Sequence, residues 1–175
     1  MKISPPSENS LSEYYKTYLK YIDEDDLLDA LILQKEISDS FLKNVSIEKE
    51  TFRYAENKWM LKEVVGHLCD TERILAYRAL RISRNDKTPL EGFDENIYVP
   101  NSGYNLLSLS DIRDEKSSIR ESNIQLFKNM TTEMIDRTGI ANKNMVSVRA
   151  LLFFIIAHER HHLKIIAQKY LQMNQ

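Results

Sequence analysis

The sequence predicts an all-α fold, a four-helix bundle with long crossover connections. Three observations carry that prediction. Apolar residues recur at i, i+3/i+4 spacing in four separate segments. Only four glycines and four prolines occur in 175 residues, too few for a turn-rich β fold. Two connections between the helical segments are too long for a simple up-and-down arrangement.

Residues 1–10 are polar, carry Pro5 and Pro6, and read as a frayed end ahead of a single domain over 11–175. Leu11, Tyr14, Tyr15, Tyr18, Leu19 and Ile22 fit a short helix over 11–21. The acidic run Asp23–Asp26 reads as the start of the first main helix, about 25–44, because carboxylates favour the positive end of a helix. Its inward stripe is Leu27, Leu31, Gln34, Ile37 and Phe41. The second main helix, about 59–83, carries Leu61, Val64, Val65, Leu68, Ile74, Leu75, Ala79 and Ile82. Residues 84–107 hold Pro89, Gly92, Pro100 and Gly103, and make a connection of about 24 residues where about 4–6 is usual. Such a segment reads as a cover, and its length lets the helices on either side run in the same direction.

Ser108-Leu109-Ser110-Asp111 is a capping box for the third main helix, with Ile112, Ile119, Leu126, Phe127 and Met130 inward. A second connection, 131–146, surrounds Gly139. Ser147 then caps the fourth main helix, about 148–172, on which Leu151, Phe154, Ile155, His158, His162, Ile165 and Lys169 share a face. No sheet of note is expected.

A net charge of −2 offers no basic footprint for nucleic acid. The longest apolar run, Ala150–Ala157, is too short to cross a bilayer, and the N-terminus has no apolar signal core. The single cysteine, Cys69, excludes an intramolecular disulfide and fits a reducing, cytoplasmic setting.

The histidines carry the functional reading. There are four, His67, His158, His161 and His162. His158 and His162 lie one helical turn apart on the stripe of Leu151, Phe154 and Ile165, where two imidazoles need something to bridge them. His67 lies on the only other helix of comparable strength. Two histidines from one helix and one from another suggest a three-histidine metal site. The bland alternative is a set of hydrogen-bonded core histidines. His161 is turned about 100° from its neighbours and is not counted as a ligand. Cys69 is about 200° round from His67 and reads as a packed thiol. Thr71 and Arg78 share the His67 face and are candidates for a substrate pocket. Asp70 and Arg73 read as a solvated face.

His158-Glu159-Arg160-His161-His162 also matches the H-E-x-x-H signature of zinc proteases, with Glu159 as general base. The chain after His162 holds no His, Asp or Glu to complete such a site, and no strand-rich peptide cradle is predicted. Glu159 is better read as an outer partner of the metal ligands.

Five stretches resemble the DinB/YfiT-like family of metalloenzymes, which is unrelated to the DNA polymerase of similar name. They are Tyr54–Trp59, Lys62–Leu68, Ala76–Ile82, Pro89–Asp94, and Val146–Leu151 through His158–His162. The resemblance spans about 25–172. The family pattern of one histidine in the second helix and an H-x-x-x-H pair in the last maps onto His67, His158 and His162. The resemblance implies an up-down-down-up bundle, a homodimer, a divalent ion (zinc or nickel), and a low-molecular-weight thiol cosubstrate such as bacillithiol or mycothiol; Tyr14, Tyr15, Tyr18, Tyr98 and Tyr104, near the terminus and in the long connection, also suggest a surface for a second copy. One departure is visible. The family's Ser or Thr after the tryptophan is Met60 here, which leaves Asn57 as a candidate helix cap.

Three imidazoles would leave a divalent ion its full charge and an open position, the layout of a catalytic site. A bound thiol would lose its proton there, which supports a thiol S-transferase acting on a small molecule. A bound water would do the same, which supports a hydrolase. A non-catalytic metal-binding stress-response protein is the third reading.

Overall fold

The computed structural model describes residues 2–173. Seven α-helices and one β-hairpin follow one another along them: α1 (Glu13–Lys16), α2 (Leu27–Lys43), α3 (Leu61–Ser83), α4 (Glu95–Asn101), α5 (Leu109–Lys128), α6 (Thr132–Asp136), β1 (Thr138–Ala141), β2 (Asn144–Ser147) and α7 (Val148–Ile165). The four long helices, α2, α3, α5 and α7, make the bundle. Among the described residues no helix is long and apolar enough to cross a membrane.

Local chemistry sets the helix ends. Asp26 caps α2 by accepting from Leu28 N–H at 2.9 Å, Ser108 caps α5 by accepting from Asp111 N–H at 3.1 Å, and Ser147 caps α7 by accepting from Ala150 N–H at 3.1 Å. The start of α3 departs from expectation. Asn57 is not its cap but sits in a turn with φ 62. Met60 takes the N-cap position without a side-chain oxygen; the Glu63 carboxylate accepts from its N–H at 2.7 Å, and the Phe52 and Glu50 carbonyls accept from Leu61 and Lys62 N–H, so the first orphan donors are met by other groups. The last helix also ends earlier than its apolar pattern. α7 stops at Ile165, and Ile166–Tyr170 continue as a wider π turn.

Cross-helix contacts give the directions. Lys62 Nζ donates to Leu107 O, Cys69 lies beside Ile112, and Glu72 meets Arg120, so α3 and α5 run in parallel. Tyr170, past the end of α7, bonds Trp59 O ahead of α3, so these two run antiparallel. Arg160 of α7 donates to Gln34 of α2, while Ser117 of α5 donates to Asp39 of α2. The result is up-down-down-up, and the 84–107 crossover makes it possible.

The connections are built rather than idle. Residues 131–146 contain α6 and most of an antiparallel hairpin, whose Asn142–Lys143 turn has φ 48 and 63, the left-handed pair that a tight hairpin requires. The 84–107 segment contains α4 and a short 3₁₀ turn, Tyr104–Leu106. Leu90 N–H donates to Ile140 O, and Asn142 N–H donates to Leu90 O, so the two connections close on each other. Gly66 lets the Tyr104 ring lie on α3, where a Cβ would come within 2.2 Å of the ring.

Three expectations need correction. The N-terminal residues do not fray. Ile3 is buried, its N–H donates to Asp26, its carbonyl accepts from Leu27 N–H, and Arg149 donates to Ser4 O. An apolar side chain and satisfied backbone groups outweigh the polar composition. On α2 the inward stripe is Leu27, Leu31, Gln34, Ser38 and Leu42, which leaves Ile37 exposed, because the small Ser38 is turned to a polar centre. Tyr18 and Tyr104, counted among residues available to a partner, are buried within the chain.

That polar centre divides the core. One apolar cluster gathers around Leu27, Leu31, Leu75, Phe127 and Phe153, and another around Leu42, Leu61, Val65, Ile112 and Ile166. Between them lie Glu72, Lys116, Arg120, Asn123 and Glu159, all buried. Arg120 donates to both oxygens of Glu72 at 2.7 and 2.8 Å and to Glu159, and Lys116 pairs with Glu159. Two cations meet two carboxylates, so the buried layer is neutral.

Candidate metal centre

His67 lies on the inward face of α3, two turns from its start, and His158 and His162 lie in the last turns of α7. Antiparallel packing of these helices brings the three rings together. His158 Nε2 is 3.4 Å from His67 Nε2 and 3.1 Å from His162 Nε2. One ligand atom from each lies within 4.8 Å of the others. His67 and His158 are buried and His162 is half-buried.

The geometry fits a divalent ion. Tetrahedral ligands at about 2.0 Å from zinc sit about 3.3 Å apart, close to the spacing seen here. Without a cation the cluster is frustrated. A neutral imidazole carries one N–H, so three Nε2 atoms aimed at one point cannot all find donors. Burial, reinforced by the neighbouring imidazoles, holds His162 down to about 3 and His158 well below the usual histidine range. Burial also lowers His67 to about 4, although the Glu95 carboxylate opposes the shift. The rings are therefore neutral near pH 7 and offer lone pairs.

The surroundings orient the rings. Thr71 Oγ1 lies 3.5 Å from His67 Nδ1, the outer limit of a hydrogen bond. The Trp59 ring packs 5.1 Å from His67 and the Phe154 ring 5.3 Å from His158. The centre lies on the wall of a cavity of about 600 Å³. Tyr15 and Phe154, stacked at 4.2 Å, and Phe93 supply much of its apolar surface, and the hairpin tip at Asn142–Met145 closes one side. Thr71 and Arg78 both line it, as the helical face of His67 predicts. His161 also lines it but turns away from the other three, with Nδ1 2.8 Å from the Tyr21 hydroxyl. Cys69 is fully buried against α5, a packed thiol.

Two readings from the sequence change. Glu159 does not support the histidines. It turns to Lys116 and Arg120 in the charge layer, where burial raises its pKa but the two cations outweigh that and hold it at about 2. Asp70 and Arg73 are not simply solvated. Tyr104 Oη donates to Asp70 at 3.3 Å, and Arg73 pairs with Glu115 at 2.5 Å. The structure also adds Glu95, at the start of α4, as the cavity's acidic side chain. No periodic signal marked it, because α4 is a seven-residue helix within a connection.

Comparison with known proteins agrees with this architecture. A curated protein of Oceanobacillus iheyensis named "Putative metal-dependent hydrolase" is 24% identical over 124 residues, which cover 70% of each chain. Among solved structures, YfiT from Bacillus subtilis, described as "a probable metal-dependent hydrolase with an unusual four-helix bundle topology", superposes with a TM-score of 0.76 over 97% of this chain and 94% of its own, at 15% identity. The mycothiol-dependent maleylpyruvate isomerase matches with a TM-score of 0.65 over 94% of this chain and 63% of its own, at 11% identity. YjoA, a DinB-like protein from Bacillus subtilis, matches with a TM-score of 0.60 over 85% of this chain and 92% of its own, at 17% identity. At these identities the structural likenesses speak for a shared fold. The family model of the DinB superfamily matches residues 30–166, most of the bundle and all three converging histidines, and the chain belongs to that superfamily.

Proposed function

We propose that this chain is a divalent-metal-dependent enzyme that joins a small thiol to a small electrophilic substrate, a thiol S-transferase. The observation behind it is the convergence of three neutral imidazoles on the wall of a cavity of about 600 Å³. Among the described residues the cluster has three ligands, which leaves room for a substrate atom at a tetrahedral ion. Zinc or nickel suits all-imidazole ligation. Bound there, the ion would supply Lewis acidity, which lowers the pKa of a thiol or a water.

The chain's own residues do the rest. His67, His158 and His162 stay unprotonated through burial. Thr71, Trp59 and Phe154 hold their rings in place. The Glu95 carboxylate, whose charge is felt at His67, accepts the proton that the nucleophile gives up. The aromatic wall excludes water and holds the two reactants together. The cavity volume is sufficient for two small molecules, and the likeness to a mycothiol-dependent isomerase supports a thiol. A hydrolase is the second reading. Glu95 would serve water equally well, and two relatives are named as hydrolases.

Zinc- or nickel-loaded protein should consume bacillithiol, glutathione or cysteine in the presence of an epoxide or chlorinated reagent, and His67→Ala should abolish this. Metal-dependent ester or amide hydrolysis without thiol would favour the hydrolase. Neither activity would favour a metal-binding protein without turnover.

We also propose a homodimer. Ile32, Leu33 and Ile37 form an exposed apolar face on α2 that a second copy would cover. Light scattering at micromolar protein should give twice the 20.5 kDa chain mass, and a monomer mass would end the proposal.

A further inference from the structure

We infer that Arg78 is the anion-binding end of the cavity and that the substrate held there is an elongated small molecule with a carboxylate at one end. The inference rests on the proposed function only for the reacting end of that molecule.

Arg78 lines the cavity and is 7% exposed. Its one hydrogen bond among the described residues runs from Nη2 to the Glu91 carbonyl oxygen at 2.6 Å. Among the described residues no carboxylate pairs with it. The other buried guanidinium, Arg120, meets two carboxylates. An arginine does not shed its proton, so burial without a counter-ion is costly unless something else supplies the charge. Glu95, the cavity's carboxylate, does not fill this role. Its charge is felt at His67 and Tyr18, whereas the titratable group beside Arg78 is the Tyr15 phenol, which burial keeps un-ionised. The cavity thus has its acid near the histidines and its unneutralised cation elsewhere.

Position along α3 gives the separation. Arg78 is eleven residues after His67, which places it on nearly the same face and about 16 Å further along the axis. Side chains on a helix lean toward its N-terminus, so the guanidinium reaches back toward the metal centre. Leu75 lies between the two ends, with the stacked Tyr15–Phe154 pair and Phe93 also on the cavity wall. A carboxylate on Arg78, an apolar middle against these groups and a reactive group at the histidines match the three zones. The planar guanidinium fork suits a carboxylate, and Nη2 bonding to Glu91 O leaves its other N–H groups for the ligand.

The test uses 4-phenylbutyrate and its amide as probes, titrated calorimetrically into the full chain. The protein is used zinc-loaded and after metal removal, with circular dichroism confirming that both forms remain folded. The acid should bind at least about tenfold tighter than the amide in both forms, because a charged hydrogen-bond pair replaces a neutral one. Arg78→Gln should bring the acid down to the amide's affinity, and Arg78→Lys should keep part of the preference. Arg78→Gln also loses the tie to Glu91, so the acid–amide ratio in the wild type decides if that variant misfolds. Equal affinity for the two probes, absence of binding by both, or a preference that survives Arg78→Gln would overturn the inference. A preference that vanishes on metal removal would overturn it too, since the carboxylate would then be sitting on the ion. Failure of zinc uptake with the acid preference intact would instead remove the metal reading and leave Arg78 standing.

Discussion

Three imidazole nitrogens 3.1 and 3.4 Å apart cannot all be satisfied by one another's protons, and that frustration favours a cation among them. Replacing His158 or His162 by alanine should leave two ligands and lower zinc or nickel affinity by more than about 100-fold, since loss of an outer-shell partner alone costs about 10–100-fold. Thr71→Val, which removes a contact of only 3.5 Å, should cost under about tenfold. Metal content after dialysis and chelator competition measure both. Wild-type affinity in the histidine variants would sink the assignment. At this scale the sequence was readable where side-chain type and helical period agreed. His67, His158 and His162 stood on apolar stripes, so their convergence followed from helix geometry. Glu95 stood on no stripe, and Glu159 resembled a ligand partner because sequence spacing does not show which neighbouring helix brings a cation.

Among elements, the long helices followed from their caps and periodicity, because Asp26, Ser108 and Ser147 supply the side-chain oxygens that helix starts require. The start of α3 was harder to read. Its first N–H groups are met by the Glu63 carboxylate and by the Phe52 and Glu50 carbonyls rather than by a hydroxyl at the cap position. The inner face of α2 departs from its apolar pattern at Ile37 because the usual preference for burying isoleucine yields here to a polar centre that takes the small Ser38. The clue lay on α5, where Ile112, Lys116, Arg120, Asn123 and Phe127 share one inward stripe with a polar middle. The β-hairpin is not legible in the sequence because its strands are four residues long and are anchored by long-range bonds to Leu90, which no local period records. The same bonds, with Tyr104 lying on Gly66, turn the 84–107 connection into a wall of the cavity.

For the whole molecule, up-down-down-up topology puts α3 and α5 side by side in parallel, and the charge layer joins α3, α5 and α7 at mid-height. Glu72 comes from α3, Lys116 and Arg120 from α5, and Glu159 from α7. Breaking one member leaves an uncompensated buried charge. Glu159→Gln should therefore cost about 3 kcal/mol or more in urea unfolding, because Lys116 and Arg120 would share a single carboxylate. The layer also gives the fold an acid limit. The folded pKa of Glu159, about 2, lies below its ordinary value of 4.5. Its pairing therefore contributes fully above about pH 4.5, and that contribution fades as pH falls toward 2, when the unfolded chain takes up the proton first. Metal-free protein, in which ligand release from an ion does not enter, should lose stability steadily across that window. Glu159→Gln should show a shallower slope there, from a lower starting stability. Equal slopes in wild type and variant, measured by urea midpoints from pH 6 to pH 3, would mean that the acid sensitivity lies elsewhere in the chain.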